Sequence, residues 1–378
     1  MTTTEDMFDP RHYERVRLPL LDAETLPPWC YTSQEFYDRE VDRVFMRSWN
    51  FLGREDEIAK PGDYAVFDLF GESVIVVRGR DNAVRAFANS CRHRGTRLLQ
   101  GKGSCRAIVC PYHGWGYNLS GELVGAAGME DTHDFDRRHY GLHPVRLETW
   151  DGFIFVNFDA KAGSLLDYLG DLPERLSSYG FGDMVCVRRR EYDLACNWKI
   201  FLENAMEDYH TPVVHKQSIG IQITTPEIAR GQWGGIYMPA EKTIAVLAED
   251  LDYAFPPIAT LSGKPAGGTY FLVIYPSTFF ATTQDCMWWL QQFPQGPDRT
   301  RLVVGSCFPR ATAARSDFGE RVGRYFKRWD KSIPEDNAIS EQQQLGLRSS
   351  YASTGRFSVR EPLVRDIANW VLDRAVGR

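Results

Sequence analysis

The chain has 378 residues, 43% hydrophobic and 25% charged, an ordinary globular composition with enough length for two domains. Its formal net charge of −6 offers no long-range attraction to nucleic acid or to an anionic membrane surface, so neither is expected as a partner. Eight cysteines scattered along this length do not make a disulfide framework.

The N-terminal stretch MTTTEDMFDPRHYERVRLPLL mixes acids and bases without an apolar run of signal-peptide length. The most apolar segment, YFLVIY at 270–275, is far shorter than the roughly twenty residues a membrane-spanning helix needs. A cytoplasmic location is therefore expected. Residues 32–49 carry a capping-box signal, Thr32 with Glu35, followed by Tyr37, Val41, Val44 and Phe45 at helical spacing, which predicts a helix. From 63 onward the pattern turns to strands: DYAVFDLFG and ESVIVVRG read as hairpin arms around Gly71, AVRAFANS leads into Cys91, and GFIFVNFD at 152–159 closes the region. Gly163, Gly170 and Pro173 punctuate the next segment, which puts a domain boundary near residue 160.

In the second half the sequence predicts a helix around 197–209, then a loop-rich section, then strand runs TYFLVIYPSTFFATT, CMWWLQQFPQ and TRLVVGSCFP. Two helices are expected near 316–330 and 334–348, the second opened by Ser332, Pro334 and Glu335 as cap, first-turn proline and capping-box acid.

Two short stretches carry the chemistry of the first half: CRHRG places Cys91 beside His93, and CPYHG places Cys110 beside His113. Both lie on loops at strand ends, where a rigid sheet can hold them still. Structural zinc sites usually pair Cys with Cys and His with His, whereas each loop here mixes one of each. Mixed loops suit a two-iron cluster with both thiolates on one iron and both imidazoles on the other, the Rieske arrangement, with structural zinc as the alternative. In the second half, His210 and His215 flank Pro212, which removes a backbone donor and breaks the turn so that both rings can converge. Two histidines and a carboxylate form the facial triad that binds ferrous iron and leaves positions open.

The run CRHRGTRLLQGKG followed by CPYHGWGYNLSGEL resembles the Rieske domain of ring-hydroxylating oxygenase large (alpha) subunits. The resemblance implies that Cys91 and Cys110 bind one iron of a [2Fe-2S] cluster and His93 and His113 the other. Thr96 and Tyr112 stand where high-potential respiratory Rieske proteins carry an extra disulfide, so the cluster resembles the oxygenase type. PEDNAISEQQQLGLRS at 334–349 resembles the ligand-bearing helix of the same family, which makes Asp336 the third ligand of a mononuclear Fe(II), with Glu335 as competitor. An acid in a helix's first turn also complements the macrodipole, and that is the plain structural reading of Asp336.

The resemblance further implies that Glu207, three residues before His210, bridges the iron site to the Rieske histidine of a neighbouring subunit. Glu in place of the Asp of ring-oxidising relatives, with Asn204 six residues before His210, resembles the subgroup of carnitine and glycine betaine monooxygenases; Thr211 departs from it where a Cys often stands. The implied fold is α+β: an antiparallel β Rieske domain over 46–160 and a helix-grip (START-like) catalytic domain with a curved antiparallel sheet over 161–378, with an N-terminal helical segment, 1–45, packed on the catalytic part.

The implied activity is that of a Rieske non-heme iron mono- or dioxygenase. It would take electrons from NADH through a flavin-dependent NAD(P)H reductase, with or without a ferredoxin, and use O2 to hydroxylate or oxidatively demethylate a small quaternary amine or aromatic compound. Head-to-tail homotrimers are expected. A Rieske-type electron carrier is the alternative, but it has no use for His210, His215 and Asp336. Among the aromatic residues crowding the catalytic half, Trp233, Tyr237, Tyr253, Phe255, Phe271, Tyr275, Phe279, Phe280, Trp288, Trp289 and Phe293, a subset is expected to line the substrate pocket.

Overall fold

The computed structural model describes residues 6–377; the first five residues of the expected N-terminal segment and Arg378 lie outside the described residues. The chain separates into two compact units, Ser48–Leu165 and a second formed by residues up to Arg47 together with Leu166 onward.

Ser48–Leu165 is built on a seven-stranded antiparallel sheet. Asp63–Leu69 and Glu72–Arg78 pair in the expected hairpin. Phe70 and Gly71 at its tip both take positive φ, as a two-residue turn between right-twisted strands requires. A separate three-stranded sheet of Ile108–Val109, Gly116–Tyr117 and Leu123–Gly125 carries the second cysteine–histidine loop. A core including Ile75, Phe87, Leu98, Trp115 and Leu119 encloses Cys91 and Cys110.

The other unit is a second seven-stranded antiparallel sheet, running from Met184–Leu194 at one edge through Arg299–Pro309, Met287–Gly296, Thr278–Thr282, Gly268–Ile274 and Trp233–Pro239 to Thr225–Pro226. The long apolar run at 269–283 is therefore two strands, Gly268–Ile274 paired with Thr278–Thr282 across a turn at Tyr275–Ser277, because Pro276 cannot donate to a continuous ladder.

Three helix readings are corrected. The first helix spans Gln34–Arg43 and is capped by Ser33, whose hydroxyl accepts from Phe36 N at 3.3 Å, while Thr32 ends the preceding turn and instead donates to the Pro28 carbonyl. The helix after Asn197 stops at Ala205, so Glu207 lies beyond its end. The two helices expected around Pro334 are one, Phe318–Leu347, with the proline inside it. An interior proline costs about 3 kcal/mol through its lost donor and ring clash, and burial of Trp329, Ser332 and Ile333 on the inner face offsets it. Asp336 consequently sits mid-helix, and the macrodipole no longer accounts for it. No helix among the described residues is long and apolar enough to cross a membrane.

Inside this unit the N-terminal helix is joined to Trp198–Ala205 by a fully buried ion pair, Lys199 Nζ to Glu40 Oε1 at 2.6 Å, with Trp198 Nε1 donating to the other Glu40 oxygen at 3.1 Å. Burial pushes the Glu40 carboxyl up, against the pull of Lys199. Removing one partner leaves an uncompensated buried charge, so Glu40→Gln is expected to lower stability by about 3–5 kcal/mol, read as a shift of the urea unfolding midpoint with the Tyr31→Phe variant as a neighbouring control.

Candidate metal centres

The two cysteine–histidine loops share a backbone design that their sequences, CRHRGT and CPYHGW, spell in parallel. In each, the Gly four residues after the Cys donates to the Cys carbonyl, Gly95 to Cys91 at 2.9 Å and Gly114 to Cys110 at 3.1 Å. The Cys N–H then donates one residue further on, to Thr96 O at 2.9 Å and to Trp115 O at 2.8 Å. Gly95 and Gly114 hold φ of 75° and 70°, a left-handed conformation that side chains rarely adopt.

Both thiols are buried, whereas His93 is half-buried and His113 exposed. The imidazoles meet edge to face at 4.7 Å, and His93 stacks on Trp115 at 4.9 Å. Burial pushes the Cys110 thiol up, but the N–H groups of Tyr112 and His113, with the side chains of Cys91 and Thr96, outweigh it and hold the group below its ordinary range. Burial, with the charges of His93 and Arg94, pushes the His113 imidazole down towards its neutral, ligating form. Tyr117 Oη lies 3.3 Å from Cys91 Sγ and accepts the Arg92 N–H at 3.0 Å, which holds the first loop against the sheet.

Among the described residues only His210, His215 and Asp336 bring three such ligand atoms within 4.8 Å of one another. A single tetrahedral zinc would need that convergence at Cys91, His93, Cys110 and His113. Buried thiols on one side, imidazoles at the surface on the other and a buried His93 Nδ1 without a hydrogen bond fit a cluster of two metals.

The second group assembles from distant segments. Thr211–Val214 is a single helical turn with Pro212 in its first positions, so the proline opens a new turn between the histidines. Asp208 anchors this turn by accepting from Arg360 Nε at 2.7 Å and from Thr224 N at 2.8 Å. Asp336 Oδ1 lies 3.0 Å from His215 Nε2 and 3.5 Å from His210 Nε2, yet it is buried and accepts no hydrogen bond of good geometry. A cation shared with the two imidazoles would satisfy that orphaned oxygen.

Each imidazole is aimed from behind by a carboxylate. His210 Nδ1 lies 2.7 Å from Glu207 Oε1, and His215 Nδ1 lies 2.7 Å from Glu335 Oε2, which also accepts from Ser218 Oγ. These contacts fix the tautomer that leaves both Nε2 lone pairs facing Asp336. Glu335, the competitor for the ligand position, is thus placed on the outer side of His215. Glu207 reaches His210 although it is not on a helix, because its Oε2 accepts the N–H groups of His210, at 3.1 Å, and Tyr209.

A cavity opens beside Asp336, lined among others by Phe201, Asn204, Phe271, Phe279, Arg328 and Trp329. Of the aromatic residues singled out in the sequence only Phe271 and Phe279 line it; the others do not. Phe201, Arg328 and Trp329 went unread because they lie on helices, where a residue's face becomes visible only once the helix is docked.

A thiolate–imidazole loop pair on one unit and a two-histidine, one-carboxylate group on a sheet-and-helix unit are the equipment of a Rieske-type, iron-dependent oxygenase. Residues 181–376 match the family model for the ring hydroxylating alpha subunit (catalytic domain), and residues 48–136 match the Rieske [2Fe-2S] domain. The chain is 34% identical over 350 residues to the carnitine monooxygenase oxygenase subunit of Acinetobacter baumannii, covering 88% of each. It is 28% identical to the chloroplastic choline monooxygenase of Arabidopsis thaliana, covering 94% of this chain and 82% of that one.

Its fold matches the quaternary ammonium Rieske monooxygenase CntA solved with γ-butyrobetaine, with a TM-score of 0.77, 26% identity and coverage of 93% and 94%. It also shares the fold of a naphthalene 1,2-dioxygenase, with a TM-score of 0.80 at 20% identity and coverage of 97% and 95%. The chain belongs to the ring-hydroxylating oxygenase alpha-subunit family: it is an oxidoreductase whose cofactors are a Rieske [2Fe-2S] cluster and a mononuclear iron.

Burial works against a charged His215, but Asp336 and Glu335 outweigh it and raise its pKa above the ordinary imidazole range. In the metal-free chain that proton stabilises the fold at acidic pH, a contribution lost as pH rises through the raised pKa. It must also leave before Nε2 can bind a cation. Fe(II) affinity, titrated anaerobically, is expected to fall about tenfold per pH unit below that pKa, and Glu335→Gln is expected to move the inflection to lower pH.

Proposed function

We propose that Cys91 and Cys110 hold one iron of the cluster and His93 and His113 the other, and that His210, His215 and Asp336 hold the mononuclear iron of a terminal oxygenase acting on a small quaternary amine. The observation that carries this reading is the His210–His215–Asp336 group, with both Nδ1 atoms fixed by carboxylates, opening into a cavity with aromatic walls. When bound, the cluster supplies single electrons and the ferrous ion supplies dioxygen activation. An electron carrier needs no cavity of this kind beside a second metal group.

The protein's own part is positioning and gating. Asp336 and the two imidazoles would hold the iron, and all three border the cavity. Phe201, Phe271, Phe279 and Trp329 exclude water there and present π faces suited to a trimethylammonium group. Asn204 lines the same cavity beside Glu207, where its amide offers a donor and an acceptor to a polar group of the substrate. Oxidation of an N-methyl or neighbouring C–H bond is the reaction class, and the relatives named for carnitine and choline support it.

Alpha subunits of this family work with a reductase and assemble into oligomers. Within the same proposal the assembly is a head-to-tail homotrimer, the reductase is flavin-dependent and uses NAD(P)H, and Glu207 links His210 to the cluster imidazole of the neighbouring subunit. The exposed His113 and Tyr112 edge supports such a contact. A cytoplasmic location belongs to the same proposal, in keeping with cysteines scattered along the sequence rather than grouped as a disulfide framework.

Glu207→Gln tests the link. Gln can still accept from His210 Nδ1, so the variant, reloaded to the wild-type iron content, is expected to keep its cluster spectrum and its rate of cluster reduction, while cluster reoxidation and product formed per NADH fall by about 10- to 100-fold. Unchanged coupled turnover would show that electrons take another route.

A further inference from the structure

Arg328 is a buried cation without an anion. It is 3% exposed, lines the cavity beside Asp336, and makes no hydrogen bond or ion pair among the described residues; its one close partner is the face of Trp329, 5.0 Å from the guanidinium carbon. Burial pushes its pKa down to about 10, against the attraction of Cys286 and Asp336, so it stays charged at neutral pH. Neither neighbour neutralises it. Burial pushes the Cys286 thiol well up, which keeps it uncharged, and Asp336 faces the two imidazoles. The buried acid next to Cys286, Asp285, already accepts from Thr243 at 2.7 Å, from Thr283 at 2.8 Å and from Tyr325.

A second unsatisfied donor lies next to it. Trp329 lines the same cavity, and its indole Nε1–H is buried with no acceptor among the described residues. A desolvated guanidinium is costly unless an anion meets it, and all five of its donors are free to receive one. A substrate whose only charge is a trimethylammonium would instead meet like-charge repulsion in this cavity.

We propose that Arg328 is the residue that selects the substrate, by binding a carboxylate at the end of the molecule remote from the reacting methyl or methylene group. The preferred substrates are then betaine-type zwitterions or simple organic acids rather than choline-like cations. The proposal rests on the reading of this cavity as the substrate site. Arg328 and Asp336 share one face of the helix Phe318–Leu347, with Ser332 between them at four-residue steps. Eight residues rise about 12 Å along the axis. A substrate that meets both must span the gap between guanidinium and metal group, which that rise and the reach of the two side chains set.

The test is calorimetric binding to the iron-loaded holoenzyme under anaerobic conditions, a readout independent of turnover. The probes are γ-butyrobetaine, its methyl ester, choline and 4-methoxybenzoate. The wild type is expected to bind γ-butyrobetaine roughly 10- to 100-fold more tightly than the ester or choline, as a charge-assisted pair predicts. Arg328→Gln should abolish that preference by weakening γ-butyrobetaine binding while ester and choline binding hold or strengthen, and Arg328→Lys should restore part of it.

Equal binding of acid and ester by the wild type, or binding of none of the four probes, overturns the proposal, and because this comparison needs no variant it stands even if Arg328→Gln fails to fold. Equal loss of all probes in Arg328→Gln, with folding intact by circular dichroism, also overturns it. Tight binding of 4-methoxybenzoate with no binding of γ-butyrobetaine keeps the carboxylate site and refutes the quaternary-amine reading instead.

Discussion

Everything at the His210–His215–Asp336 group depends on two hydrogen bonds that face away from it. Glu207 and Glu335 each take one imidazole by Nδ1, at 2.7 Å, and so decide which nitrogen of His210 and His215 carries a lone pair and where it points. Without them the rings could rotate or protonate on the wrong atom, and Asp336 alone would not define a centre. The carboxylates are held in turn, Glu207 by the N–H groups of Tyr209 and His210 and Glu335 by Ser218, so the geometry propagates outward into backbone and helix.

The residues most easily read from the sequence are those whose spacing is local. CRHRG and CPYHG announce themselves because a cluster loop is built from a handful of consecutive residues, and YHTPVVH does so because Pro212 must interrupt the turn between two histidines. The antiparallel strands of both sheets are legible for the same reason. The features that stay hidden depend on docking. Pro334 reads as a helix start, and only the buried inner face of Phe318–Leu347 shows why the helix continues through it. A break at Pro334 would separate Arg328 and Trp329 from Asp336, although all three border one cavity. Glu335 illustrates a further limit: adjacent acids on a helix point in different directions, and composition alone does not say which one faces the metal group.

The cavity combines features that a single-charge ligand would set against each other. Its aromatic walls suit an alkylated ammonium, whereas the Arg328 guanidinium in its lining would repel a bare cation. A molecule carrying both charges resolves the conflict by its own geometry, with the cationic end against the π faces and the anionic end at the guanidinium. Recognition of that kind reads the spacing of the two charges as well as their sign.

His215 and Glu335 stand 120 positions apart in the chain, and Asp336 follows directly on Glu335. An ion gripped between these segments would staple the ends of a very long loop, whose closure the folded sheet and helix already impose. The ligands' convergence is thus written into the packing of one helical turn against one long helix, and the span of chain between them is held by the fold itself.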